Sequence, residues 1–420
     1  MRRFSFLAAL LAAAASSFAQ PAPAPPKAAR PAIAPERLTR LTQFLDRYVN
    51  ENRIPGAVAL VLRDGKPVYE QSFGWADREA GRKMTGDTLF RIASQTKAIT
   101  STAVMILVEE GKIGITEPVS HFIPSFDKTT VAVKDDNGIK FVPAKRRITI
   151  HDLLTHTAGI SYGTEPYIAA MYEAKGLGPA AGNGWYTADK DEPVCETMER
   201  LGTLPFVAQP GEAFVYGYNT DILGCVVEKA SGMKLADFVR PRITQPLGLK
   251  DTRFYIPMEE RNRLAAVYAS DHGAYARAPE GSKGQGHYVI GPRKSFAGGA
   301  GLTSTAHDYA RFLEMIRNGG ALDGVRILGP RAVKLMTTNQ SGALHSKDGL
   351  GFGYGFETVD RYGASGMAAV GAFGWGGAYG TTYQVDPQSH LVVVFMMQLM
   401  PNATDVQPKF MTSVYQALVN

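Results

Sequence analysis

Cysteine is nearly absent, with two in 420 residues, Cys195 and Cys225. That excludes a small disulfide-scaffolded domain, and no spacing rule demands that the two pair, so they are expected as buried free thiols. No cluster of His, Cys, Asp or Glu falls at metal-ligand spacing, and no metal or other cofactor is expected. Basic tracts are missing too: the formal charge of +6 is spread along the chain, which leaves no footprint for nucleic acid. Beyond the N-terminus no apolar run is long enough to span a bilayer, residues 391–397 being of strand length only. There is no internal repeat, and 45% hydrophobic with 20% charged content is that of an ordinary globular chain. Its length suits one large or two interlocked domains.

The N-terminus carries a processing signal. Arg2-Arg3 precede an apolar stretch over 4–15, and Ser17-Phe18-Ala19 supplies the small residues before a cut after Ala19. The stretch is too short for a permanent anchor. No Cys follows it, so a lipid anchor is not indicated either. Residues 1–19 are therefore expected to be a signal peptide, with the mature chain periplasmic or secreted and not membrane-inserted. Residues 20–36 form a Pro/Ala-rich tether.

Hydrophobic periodicity then predicts an amphipathic helix over 35–52, a hairpin over 57–62 and 67–73, and a helix over 98–110. A second hairpin spans 131–142, and helical patterns with glycine-containing loops fill 148–242. Strand patterns return at 353–358, 380–385 and 391–398, before a last helix over 408–418. The class is α+β. An antiparallel sheet flanked by helices, from 37–92 plus 300–420, is built from both termini and receives a mostly helical domain, 93–299, as an insertion.

Ser94-Gln95-Thr96-Lys97 lies where the apolar segment 89–93 gives way to the 98–110 helix. Residues three apart share a helix face, so Lys97 brings its amine beside the Ser94 hydroxyl. The positive end of the helix dipole favours the anion of acyl transfer. Burial and the same field disfavour an ammonium and favour a proton-accepting amine. A second match, Ser231-Gly232-Met233-Lys234, sits at a helix C-terminus with Gly232 as its cap, where the dipole is wrong.

Two further segments supply what Ser94 needs. Tyr216, ahead of a helical run, is a phenol able to move protons between nucleophile and leaving group. The run Phe373-Gly374-Trp375-Gly376-Gly377-Ala378-Tyr379-Gly380 allows a backbone N–H to approach a developing oxyanion. Gly159-Ile160-Ser161-Tyr162-Gly163 also matches the nucleophile pattern of α/β-hydrolases. It lacks the required strand before and helix after, so Ser161 is read as a decoy. His156 is read as a structural residue ending a helix.

Taken in order, these segments resemble the serine β-lactamase and penicillin-binding-protein superfamily, and within its class C-like branch the family VIII carboxylesterases. The resemblance runs from about residue 35 to the C-terminus. It rests on Ser94 to Lys97, Leu153-Leu154-Thr155-His156-Thr157-Ala158-Gly159, the Tyr216 segment, Gly298-Gly299-Ala300-Gly301-Leu302, Ser304-Thr305-Ala306-His307-Asp308 and Trp375-Gly376-Gly377. It implies a β-lactamase-like fold, a Ser94 nucleophile, Lys97 and Tyr216 as the acid–base pair, and an oxyanion hole from the Ser94 and Ala378 N–H groups. The first proton goes to either Lys97 or Tyr216.

Two departures from the lactamase pattern bear on substrate. Tyr218 stands where those enzymes usually have an Asn that holds a substrate amide, with Asn219 one place late. Trp375-Gly376-Gly377 replaces Lys-Thr-Gly, so the cation that attracts a lactam carboxylate is gone and an aromatic wall stands instead. Tyr218, Trp375, Gly376 and Gly377 are expected to contact substrate, and an uncharged small-molecule acyl ester is the expected partner. A lactamase or D-amino-acid peptidase on the same scaffold, and a non-catalytic binding protein of this fold, are the competing readings.

Overall fold

A computed structural model describes residues 32–136, 138–178, 189–271, 274–281 and 284–419. The proposed signal and most of the tether lie outside the described residues.

Helix α1 (Pro35–Asn50) starts on a proline at its first turn and turns Leu41, Leu45 and Tyr48 inward. It leads into β1 (Gly56–Arg63) and β2 (Lys66–Asp77), with the short β3 (Arg82–Lys83) beside them. The chain then enters α2 (Thr96–Glu109), a hairpin of β4 (Thr130–Asp135) and β5 (Gly138–Pro143), and the short α3 (Ile150–Leu154). A reciprocal capping box between Thr149 and Asp152 starts α3. Helices α4 (Val194–Leu201), α5 (Asn219–Ser231) and α6 (Ala306–Arg317) follow. The chain closes with β6 (Leu350–Phe352), β7 (Glu357–Val359), β8 (Phe373–Gly377), β9 (Thr381–Asp386), β10 (Leu391–Met396) and α7 (Val406–Tyr415).

Eight strands form one antiparallel sheet in the order β6-β7-β8-β9-β10-β1-β2-β3. The middle pairing joins the two ends of the chain, with Val394 opposite Leu60. Strand β10, Leu-Val-Val-Val-Phe-Met, is buried along its whole length. That continuous apolar run follows from cover on both faces. Val393 and Phe395 pack with Ala57 and Ala59 against α1 and α7 through Leu41, Leu45, Phe410 and Val414. Their neighbours Val392 and Val394 pack with Val58 and Leu60 on the opposite face, against Phe312 and Leu313 of α6. This second core continues into Val104 of α2 and Leu223 of α5, so the sheet and the helical layer share one interior.

Two sequence expectations change. The strand expected over 353–358 is instead the two short strands β6 and β7, with residues 353–356 as the turn between them. The two cysteines are not free thiols: Cys195 of α4 and Cys225 of α5 form a disulfide, their Cα atoms 5.0 Å apart.

Candidate active site

Ser94 sits on the tight turn Ala93–Gln95 that runs directly into α2. Ala93 adopts a left-handed φ of +43°, a costly conformation for a residue with a side chain. The turn is gripped from behind. The Ile92 N–H donates to the Leu302 carbonyl at 3.1 Å, and the Leu302 N–H donates to Thr96 Oγ1 at 3.1 Å.

Lys97, in the first turn of α2, is 1% exposed. Its Nζ lies 2.8 Å from the Gly299 carbonyl, 3.2 Å from Ser94 Oγ and 3.2 Å from the Tyr162 hydroxyl. A carbonyl only accepts, whereas the two hydroxyls can donate or accept. One amine hydrogen is therefore committed to Gly299, and the rest of the amine faces the Ser94 and Tyr162 hydroxyls. Gly299 is itself fixed: its N–H donates to Asp221 Oδ1 at 3.0 Å, and a Cβ there would come 2.4 Å from Asp221 Oδ2.

Tyr216 converges on the same point. Its ring centroid is 4.7 Å from Lys97 Nζ, and its oxygen accepts the Trp375 indole N–H at 3.1 Å. The ring leans on His156 at 4.7 Å and meets Tyr162 edge-on at 5.9 Å. His156 is buried at a left-handed φ of +57° and exchanges a 2.9 Å hydrogen bond with the Asn219 amide. Burial, reinforced by Lys97 and then His345, holds its imidazole well below the ordinary range. It is a neutral platform for Tyr216.

The glycines before Ala378 act as expected for close approach. A Cβ on Gly377 would lie 2.4 Å from the Ile92 carbonyl, and one on Gly376 would lie 3.1 Å from that of Thr381. Strand β8 thus meets the Ser94 turn backbone to backbone, with Ala378 exposed at its end. Trp375 lies edge-on to Phe352 at 5.3 Å and at the margin of an aromatic group that includes Phe214 and His345.

Tyr218 does not contact a substrate from this cleft. Its side chain is 0% exposed, its oxygen accepts the Gly178 N–H at 3.1 Å, and its ring packs edge-on to Tyr162 at 5.0 Å. It ends in the interior because α5 begins at the next residue and turns this position inward. Asn219 is equally buried and holds His156. Tyr379, which follows Ala378, is buried in a separate small core with Ala93 and Val267.

The decoys behave as decoys. Ser161 Oγ donates to Glu165 Oε2 at 2.6 Å and accepts the Gly163 N–H at 3.0 Å, so it is consumed in shaping its own loop. Ser231 ends α5 and donates to the Val227 carbonyl, beside a left-handed Gly232. Sequence reasoning missed Tyr162 and Gly299 as partners of the Lys97 amine, and Asp221 as the acceptor that fixes Gly299. Tyr162 was hidden inside the Gly159–Gly163 motif, whose two end glycines take positive φ and hold a rigid loop. Among the described residues no group of three His, Cys, Asp or Glu side chains is placed to hold a metal ion.

A serine on a tight turn, with lysine and tyrosine beside it and a glycine strand against its backbone, is equipped for acyl transfer. Comparison with known proteins agrees, the Beta-lactamase family matching residues 41–415. The chain belongs to that family. It is a serine hydrolase of an esterase-related branch. It is 34% identical to Esterase EstB of Burkholderia gladioli over 371 residues, covering 85% of this chain and 89% of that one. With the Lovastatin esterase of Penicillium rubens it shares 31% identity over 377 residues, 83% and 90% of the two chains. The solved structure of EstCE1, a hydrolase with promiscuous acyltransferase activity, superposes with a TM-score of 0.76 at 26% identity, covering 92% of this chain and 99% of that one. Simvastatin synthase LovD from Aspergillus terreus shares the fold, with a TM-score of 0.72 at 23% identity over 91% and 97% of the chains.

Proposed function

We propose that this chain is an exported carboxylesterase that cleaves uncharged short-chain acyl esters through a Ser94 acyl-enzyme. The observation that carries the reading is the Trp375 N–H on the Tyr216 oxygen. It supplies a neutral donor and an aromatic face at the position where a lactam-cleaving relative would offer a cation to a substrate carboxylate. The esterases among its relatives support the reaction class. The processing signal at residues 1–19 supports export to the periplasm or beyond.

In this reaction Ser94 Oγ bonds to the ester carbonyl carbon while its proton passes to the Lys97–Tyr216 pair. The carbonyl oxygen becomes an oxyanion, held by the Ser94 and Ala378 N–H groups. The carbon–alkoxy bond then breaks, and the leaving alcohol takes a proton from the Tyr216 phenol. Water repeats the sequence on the acyl-enzyme, releasing the acid and restoring Ser94.

The test sets a short-chain nitrophenyl ester beside a chromogenic cephalosporin, for the parent protein and for Ser94→Ala. Ester turnover that vanishes in Ser94→Ala, with lactam turnover slow or absent, is the expected result. Fast lactam turnover with negligible ester cleavage would hand the site to the lactamase or peptidase reading. No turnover of either substrate would favour a binding protein.

A further inference from the structure

Behind the wall that fixes Ser94 and Lys97 lies a cavity of about 730 Å³, within the size range of small-molecule sites. Leu249, Phe254, Phe296 and Leu302 give it an apolar interior. Its charged lining is one-sided: Arg240, Lys250, Arg253 and Arg293 face a single acid, Asp237. Arg253 pairs through Nη2 with Glu260 and Asp251, yet its Nε is buried without a hydrogen-bond partner. A buried guanidinium N–H left in that state costs free energy that an incoming acceptor would recover. Arg240 and Lys250 are exposed at the rim, and neither forms an ion pair with an acidic side chain among the described residues.

None of Ser94, Lys97, Tyr162, Tyr216 or Trp375 lines this space. The partition is Leu302, whose side chain faces the cavity while its backbone N–H and carbonyl bond Thr96 Oγ1 and the Ile92 N–H. The two compartments therefore stand back to back. An apolar chain with a planar anionic head satisfies both halves of the lining, because a guanidinium donates in a fork that matches a carboxylate. A neutral amphiphile would leave Arg240 and Lys250 without a counter-charge, and a cationic one would be repelled.

We propose that this cavity is a second binding site, separate from the ester cleft, for a medium-chain carboxylate. The test titrates the intact protein with dansyl-labelled undecanoate and competes the bound probe with decanoate or with decanol. Saturable binding, displaced by decanoate and not by decanol at the same concentrations, is expected. Arg240→Glu combined with Lys250→Glu should raise the Kd by about tenfold or more, two attractive contacts having become repulsive, while nitrophenyl-ester turnover stays at the parent level. Ala236→Trp, which adds an indole to the cavity lining, should remove probe binding, with a thermal melt confirming that the variant is folded. The proposal fails if no saturable binding is seen or if decanol competes as well as decanoate. It fails equally if both the charge-reversed and the Ala236→Trp proteins bind the probe as the parent does, since the probe would then sit elsewhere.

Discussion

Replacing Trp375 by Phe tests the hydrogen bond on which the esterase reading rests. The substitution removes the indole N–H that lies 3.1 Å from the Tyr216 oxygen and keeps an aromatic ring against Phe352. The phenol carries most negative charge while its proton is in transit, so the donor contributes more to the transition state than to the resting enzyme. A hydrogen bond to a charged acceptor contributes about 1.5–3 kcal/mol. If that acts at the transition state, kcat should fall by about 10- to 150-fold, with KM nearly unchanged. Steady-state hydrolysis of a short-chain nitrophenyl ester measures both constants, and a thermal melt confirms that the variant is folded. A folded Trp375→Phe enzyme whose kcat stays within about twofold of the parent would refute the reasoning, because so small a change is well below what losing a charged hydrogen bond costs.

Three other outcomes are expected. Asp221→Ala releases the Gly299 N–H and loosens the carbonyl that holds Lys97; kcat should drop about 10- to 100-fold with KM little changed, and Asp221→Asn, which keeps an acceptor, should recover part of it. Removing the disulfide with Cys195→Ala and Cys225→Ala opens a loop of sequence separation 30 and should cost about 3–4 kcal/mol in urea unfolding at neutral pH. His156 predicts a pH dependence of stability, because its imidazole is held well below the ordinary value of 6.5 when folded. Below that pH the unfolded chain binds a proton that the folded chain refuses, so stability is lost as pH falls, by about 1.4 kcal/mol per unit. The loss should appear as a difference between parent and His156→Gln melts from pH 6.5 down to 5, and parallel curves would show that His156 is not the cause.

The sequence was most legible where chemistry is local. Ser94 and Lys97 are one helical turn apart, so their contact follows from spacing alone. Tyr216 and the glycines of β8 could be chosen because their order along the chain matches a known pattern. What stayed hidden depends on which way a side chain turns at an element boundary. Tyr218 and Tyr162 are both near-motif tyrosines, and only the start of α5 sends the first into the core while the second reaches Lys97 across 65 positions. The disulfide was invisible for the same kind of reason: a separation of 30 residues does not say whether α4 and α5 pack with their cysteines face to face. The sheet's outer strands were misjudged because the Gly-rich stretch 353–356 reads as part of a strand and folds as a turn.

The pairing of Val394 with Leu60 has a consequence for how the molecule comes into being. Strand β1 is synthesised well before β10, the neighbour that pairs along its edge from far later in the chain. Contacts of such long sequence separation form slowly, since loop-closure entropy is met before any reward arrives. Strand β8, which packs on the turn that carries Ser94, belongs to the same later segment of the chain. A chain synthesised only as far as α2 therefore holds Ser94 and Lys97 without the β8 backbone that packs against their turn.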